Sequence, residues 1–386
     1  MSMRITNTRL LLASVLLLLF FYSTWKRLEI HKEEQKTSAP HKIHVLILSS
    51  WRSGSTFAGQ LFNQNPNVFY LMEPAKHLWN SMPWGSPELI QGAMRDLLRS
   101  VFLCDMEAFR FYIRNASKVS HLFMWPMSKG LCSPPACEAF SRFDIVDKME
   151  CIAQCGHAPF EKISEACATY SHVVVKVVRL FQLEALYQLL GDPSLSLHII
   201  HLVRDPRAIF ASRRFISLLA DNQFITKTTN STPDIRRVMY KVCHSQVEMY
   251  FTALYHMPSA WRGRYLLTRY EDLVGDPLGH LAKWYNFTGL TSTPKLQKWV
   301  YNITHWPTSS ERKEPLSIEK NAKFVSQAWR QQLSFKKVQD VQAICKEAME
   351  VFGYKLMTSE EEQRDLTLDS VLPVSEKKSS AKRPHV

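Results

Sequence analysis

Three runs along the chain are almost wholly apolar and rich in β-branched residues: Ile43 to Leu48 (IHVLIL), His172 to Val178 (HVVVKVV) and Leu197 to Val203 (LHIIHLV). Hydrophobicity without polar alternation marks strands covered on both faces, as in parallel sheets. Val68 to Leu71 and Tyr265 to Thr268 are shorter strand candidates. Between these runs the apolar period lengthens to that of helices, through Phe57, Leu61 and Phe62 and from Leu183 to Leu190. Further helices are expected over Asp234 to Leu254, Leu278 to Tyr285 and Phe335 to Phe352. Strands alternating with helices predict an α/β fold, a central parallel sheet flanked by helices.

One apolar run is of a different kind. Leu10 to Trp25 (LLLASVLLLLFFYSTW) is uncharged and lies between Arg9 and the pair Lys26-Arg27. As a helix it spans roughly 24 Å, which suits the thinner membranes of the early secretory pathway. A cleavable signal peptide is the competing reading. No convincing small-x-small cleavage site follows, and Tyr22 and Trp25 suit a membrane interface, which favours a retained transmembrane helix. Flanking charges do not fix its orientation. The chain then divides into a tail over 1–9, an anchor over 10–25, a polar stem over 26–41, a folded body over 42–372 and a basic, disordered tail over 373–386.

At 386 residues and 46% apolar content the chain can bury a large core. A formal charge of +13 favours anionic partners: a nucleotide, an acidic glycan or a membrane surface. Nucleic acid is set aside, since the basic residues are scattered and no zinc-finger, bZIP or RNP pattern occurs. All eight cysteines lie beyond the anchor, as do four N-x-[ST] sequons at Asn115, Asn230, Asn286 and Asn302. Both fit an oxidising lumenal compartment and disulfides, although Cys132-x4-Cys137 and Cys151-x3-Cys155 also allow a zinc reading. Six of the cysteines fall between Cys104 and Cys167, a stretch with little regular period that reads as a stapled insertion beside the active site.

The chemistry concentrates at two strand ends. Ser50, Trp51, Arg52, Ser53, Gly54, Ser55 and Thr56 follow the first strand and open a helix. Backbone N–H groups and a helix dipole there face an anion, Gly54 permits close approach, Arg52 adds a charge-assisted fork, and the hydroxyls donate. The spacing is not the G-x-x-x-x-G-K-[ST] of nucleoside triphosphatases. The second element runs through Arg204, Asp205, Pro206, Arg207, Ala208, Ile209, Phe210, Ala211 and Ser212, again directly after a strand. Pro206 suits a first helical turn, Arg204 and Ser212 can share one phosphate, and Asp205 either caps the helix or pairs with an Arg. Taken alone, R-D-P-R reads as a structural salt bridge and cap. Two separated phosphate sites imply a nucleotide with phosphates at both ends.

These motifs carry a resemblance. Ser49 to Phe57 (SSWRSGSTF) resembles the 5′-phosphosulfate loop of carbohydrate sulfotransferases, and His201 to Ala208 (HLVRDPRA) their 3′-phosphate motif. Phe62 to Gln64, Phe69 to Ala75 (FYLMEPA), Ser100 to Met106, Leu131 to Cys137, Arg269 to Leu273 (RYEDL) and Ser326 to Arg330 (SQAWR) look like the galactose/N-acetylglucosamine/N-acetylgalactosamine 6-O-sulfotransferases. Within that family the chain is most similar to the N-acetylglucosamine enzymes. The resemblance implies a P-loop-like sulfotransferase fold, 3′-phosphoadenosine 5′-phosphosulfate (PAPS) as donor, no metal, and a single-pass type II protein of the Golgi membrane with a lumenal catalytic domain. It implies glycan acceptors on glycoproteins or keratan sulfate, and leaves a homo-oligomer open. Ser50 to Thr56 would hold the 5′-phosphosulfate, and Arg204 with Ser212 the 3′-phosphate.

Sulfuryl transfer needs developing charge neutralised, for which Arg52 and the loop amides are candidates, and a primary alcohol deprotonated. Glu73 is the candidate base, with His77 as competitor; Glu73 equally caps a helix or neutralises an Arg. Lys176 either approaches the sulfuryl group or sits in a buried ion pair. Trp329-Arg330 either contact a substrate or pack. The chain departs from its relatives at Val177, where K-E-V-R would carry an acid, and at Phe324, which removes a sequon. A kinase-like transferase and a non-catalytic glycan-binding protein are the alternative readings; the first lacks its P-loop Lys, and the second has only Val177 in its favour.

Overall fold

The computed structural model describes residues 21–26, 42–82, 86–214, 218–229, 231–305, 318 and 321–372. The expected tail over 1–9, most of the anchor, the stem from 27 to 41, the tail over 373–386 and Asn230 lie outside the described residues. Residues 21–26 are helical, and no helix among the described residues is long and apolar enough to cross a membrane.

The body is built on β1 (Ile43–Ser49), β2 (Val68–Met72), β3 (His172–Val177), β4 (Ser196–Val203) and β5 (Tyr265–Arg269). They hydrogen-bond in the order β2-β3-β1-β4-β5, every pair parallel. Helices that matter for the site are α1 (Ser55–Asn63), α2 (Lys76–Ser81), α3 (Gln91–Phe102), α4 (Pro206–Arg213), α5 (Leu219–Thr226), α6 (Ile235–Phe251), α7 (Tyr270–Gly275), α8 (Pro277–Thr288), α9 (Ala322–Gln327), α10 (Phe335–Ile344) and α11 (Lys346–Phe352). Along β1, Val45 and Ile47 pack with Phe57, Leu61 and Phe62 of α1 and Trp284 of α8. Leu46 and Leu48 join the opposite layer with Leu97 and Val101 of α3 and the cysteine-rich insertion. Both faces of β1 are therefore dry, which is why its sequence shows no alternation. Each such side chain contributes about 1.5–3 kcal/mol on burial.

The strand order reverses at the centre of the sheet. After β1 the chain crosses to the β2 edge, and after β4 it moves to the opposite edge, so the loops leaving these neighbours part and open a crevice at the strands' carboxyl ends. This is the topological switch point at which α/β sheets bind ligands.

All eight cysteines are paired: Cys104–Cys167, Cys132–Cys151, Cys137–Cys155 and Cys243–Cys345. The zinc alternative thereby falls, because each thiol is consumed in a disulfide. Three bridges staple the insertion, which reaches the crevice through Phe123. The fourth ties α6 to the junction between α10 and α11. The single helix expected over Phe335 to Phe352 is broken there: Cys345 takes φ −106°, ψ 23° while bonded to Cys243. Val177, where the resemblance led to the expectation of an acid, is 1% exposed and belongs to the apolar layer on the insertion side. Asn115, Asn286 and Asn302 are exposed.

Candidate active site

At the end of β1, Ser49 Oγ donates to the Leu202 carbonyl of β4 at 2.7 Å, locking together the two strands that flank the crevice. The chain then turns through Arg52 at φ +68° and Gly54 at φ +83° before entering α1. A Cβ on Gly54 would stand 2.2 Å from Tyr270 Cδ2, so conformation and space both demand glycine. Helix α1 starts with no side-chain cap and no acid in its first turn, leaving its N–H groups and positive dipole end for an anion. Ser50 and Ser53 are buried and hydrogen-bond each other through their hydroxyls at 2.7 Å, shaping the turn from behind. Trp51, Arg52, Gly54, Ser55 and Thr56 line a cleft of about 360 Å³.

The second element meets the first in this cleft. Arg204 lies 4.4 Å over the Tyr270 ring and donates through Nη1 to the Arg52 carbonyl at 2.9 Å and through Nη2 to the Val325 carbonyl at 3.0 Å. Its Nε is buried and has no protein partner among the described residues, an orphaned donor that fits a phosphate oxygen. Arg52 Nε donates to Ser212 Oγ at 3.0 Å, joining the two motifs directly. Burial and the nearby Arg204 push the Arg52 pKa down. Between Arg204 and Ser212 the residues turn elsewhere. Asp205 caps α4 through the Arg207 N–H at 2.8 Å and pairs with the Arg207 guanidinium at 2.7 Å, so both uses expected of it occur together. Arg207 is fully buried and also donates to Gln342 and the Lys355 carbonyl. Pro206, Ala208, Ile209, Phe210 and Ala211 form the turn and the packing face of α4 and do not line the cleft.

Opposite the loop stands a chain of alternating charges. Glu73, at φ +54° just past β2, donates its N–H to the Lys176 carbonyl at 2.8 Å and receives Lys176 Nζ at 2.5 Å. Its other oxygen pairs with Arg179. These two cations hold the Glu73 carboxyl down at about 2 against the opposing effect of burial. Burial lowers the Lys176 pKa, an effect Glu73 counters. Arg179, 5.4 Å and 5.7 Å from the Trp51 and Trp79 rings, also reaches Asp221 at 3.2 Å, and Asp221 meets Lys76 at 3.4 Å. Glu73, Lys176, Arg179, Asp221 and Lys76 all line the cleft. Sequence reasoning missed Arg179, Asp221 and Lys76. Arg179 stood three residues past Lys176 as a signal, but nothing local points to Asp221.

His77 lies apart from this group. Its Nε2 accepts the Phe123 N–H at 2.8 Å, which places the ring proton on Nδ1 and leaves no lone pair for a substrate hydroxyl. Burial drops its pKa to about 4. Trp329 and Arg330 are 1% and 0% exposed, and Arg330 donates to the Asp365 and Leu368 carbonyls, so this pair packs. No group of three or more metal-ligating side chains occurs among the described residues.

A nucleotide-sized cleft at the switch point, floored by an anion loop and edged by a carboxylate in a nest of cations, defines a group-transfer site. Residues 42–353 match the sulfotransferase domain family. The chain is 49% identical to carbohydrate sulfotransferase 5 of Mus musculus over 338 residues, 86% of each chain. It is 47% identical to carbohydrate sulfotransferase 6 of Homo sapiens over 373 residues, 95% of this chain and 93% of that one. It is 43% identical to carbohydrate sulfotransferase 4 of Mus musculus over 350 residues, 89% and 90% of the two chains. The chain belongs to the carbohydrate sulfotransferases and is a PAPS-dependent enzyme.

Proposed function

We propose that this enzyme transfers the sulfuryl group of PAPS to the 6-hydroxyl of N-acetylglucosamine in glycoprotein or keratan-type glycans, in the Golgi lumen, anchored by its N-terminal apolar run as a type II membrane protein. The observation that carries the reaction is the direct contact of both anion motifs, Arg52 to Ser212 and Arg204 to the Arg52 carbonyl, facing the Glu73–Lys176 pair across one cleft. The choice of sugar rests on the motif similarity to N-acetylglucosamine 6-O-sulfotransferases.

The loop N–H groups, Arg52 and the start of α1 bind the 5′-phosphosulfate, and Arg204 with Ser212 the 3′-phosphate. The acceptor oxygen forms a bond to sulfur as the bond from sulfur to the phosphate oxygen breaks, releasing adenosine 3′,5′-bisphosphate; the hydroxyl proton passes to Glu73. The two cations paired with Glu73 weaken it as a base, and loosening one of them restores its basicity. Lys176 is the one placed to shift. It stands at the end of β3 beside the loop, and drawing it to the sulfuryl oxygens both neutralises charge there and releases Glu73 Oε1 as a proton acceptor, while Arg179 keeps Oε2 in place.

Incubating the full-length chain, in mild detergent, with radiolabelled PAPS and oligosaccharides ending in N-acetylglucosamine, galactose or N-acetylgalactosamine tests the proposal. Label on the 6-hydroxyl of N-acetylglucosamine is the expected result. Label confined to galactose or N-acetylgalactosamine overturns the acceptor assignment.

A further inference from the structure

The charge chain in the cleft is tight at one end and loose at the other. Lys176 meets Glu73 at 2.5 Å, but the contacts of Asp221 are 3.2 Å and 3.4 Å to Arg179 and 3.4 Å to Lys76 through Oδ1, and 3.3 Å to Arg179 through Oδ2. A carboxylate accepts from roughly four directions and an ammonium donates three hydrogen bonds. Oδ1 already meets three donors, but Oδ2 meets only Arg179 Nη2 and Lys76 Nζ meets only Oδ1, so among the described residues Oδ2 keeps an acceptor direction and Nζ keeps donor hydrogens on the wall of the cleft that both residues line. An acceptor and a donor side by side suit a hydroxyl, which both gives and accepts a hydrogen bond. Their place is also defined: Arg179 bridges Asp221 to Glu73, setting the two carboxylates one guanidinium apart. In a hexopyranose the C4 hydroxyl stands on the ring carbon next to the one that bears C6. A sugar with its 6-hydroxyl at Glu73 thus presents its 4-hydroxyl about one guanidinium away.

We infer that Asp221 and Lys76 bind the 4-hydroxyl of the sugar being sulfated and select acceptors by configuration at C4. The inference rests on the reading of Glu73 as the group that receives the 6-hydroxyl proton. An equatorial hydroxyl, as in N-acetylglucosamine, and an axial one, as in galactose, leave the ring in different directions, and a donor and acceptor fixed together by α2 and α5 meet one of them better than the other.

The test measures transfer by the full-length chain to an N-acetylglucosamine glycoside and to its 4-deoxy analogue, for the unaltered protein, Asp221→Asn and Lys76→Gln. Both substitutions should raise KM for the parent glycoside about tenfold or more, the scale of a lost hydrogen bond to a charged group, with KM for PAPS unchanged. Neither should alter KM for the 4-deoxy analogue. Equal losses on both glycosides, a matching rise in KM for PAPS, or no change in either variant overturns the inference. Lys76→Gln leaves the Asp221–Arg179 pair intact, so it decides the matter alone if Asp221→Asn fails to fold. Should the unaltered chain sulfate galactose instead, the acceptor proposal falls, and galactose with its 4-deoxy analogue then tests Asp221 and Lys76 in the same way.

Discussion

Replacing Glu73 by Gln preserves the shape of the side chain and removes the charge on which two buried cations depend. Lys176 is 2% and Arg179 4% exposed, so neither turns to water when the carboxylate is lost. Two routes give the cost. The carboxyl moves from 4.5 in the free state to about 2 in the fold, which at 1.36 kcal/mol per unit is about 3 kcal/mol of stability at neutral pH. Removing one partner of a buried ion pair costs about 3–5 kcal/mol. The two agree at the lower end, as suits a carboxylate still 12% exposed. Because the folded value lies below the unfolded one, this stability is present above about 4.5 and is lost as pH falls toward 2. Denaturant titration of Glu73→Gln at neutral pH should therefore show a loss of about 3 kcal/mol. The site becomes more positive, so PAPS should bind at least as tightly by equilibrium dialysis. Turnover should fall about 10²-fold or more, the scale for losing a general base. A variant that is destabilised, binds PAPS and still turns over normally refutes the role of Glu73 as base and leaves it only the structural one.

Three further outcomes are expected. Gly54→Ala forces a Cβ into the Tyr270 ring at a backbone angle that disfavours side chains, and Tyr270 supports Arg204; PAPS affinity should drop at least tenfold on about 1–3 kcal/mol of strain, read by isothermal titration. Converting Cys243 and Cys345 together to Ala opens a loop of 102 residues and should cost about 4–5 kcal/mol in the chain-entropy account, seen as a lowered denaturation midpoint. Glu271, which accepts the Asp205 N–H at 3.1 Å and the Tyr354 hydroxyl at 3.0 Å, is raised to about 7 by burial and then by Asp205. The folded chain holds this proton where the unfolded chain has released it, so stability declines as pH rises from 4.5 to about 7, and Glu271→Gln should flatten that decline in thermal melts.

Much of this molecule was legible along the chain because the signals are local. Buried strands write themselves as continuous apolar runs, and the runs at Ile43, His172 and Leu197 are β1, β3 and β4 almost to the residue. A glycine at positive φ before an uncapped helix, and a proline in the first turn of α4 behind a capping aspartate, are likewise local necessities. Such features marked the candidate anion loop, Arg204, Ser212 and Glu73, which the fold gathers around one cleft. Three-dimensional packing decided which of these neighbours in sequence share a function. Arg204 and Arg207 look alike in R-D-P-R, but the first, ahead of α4, lines the cleft and the second, in the first turn of α4, enters a buried pair with Asp205. His77 and Glu73 compete as candidate bases along the chain, and the fold sets Glu73 on the cleft while His77 Nε2 is taken by the Phe123 N–H. Asp221 shows the limit most clearly. It reaches Arg179 across 42 residues and Lys76 across 145. Periodicity and motifs constrain a residue through its near neighbours, whereas an ion pair between distant segments exists only once the sheet has brought their ends to one crevice.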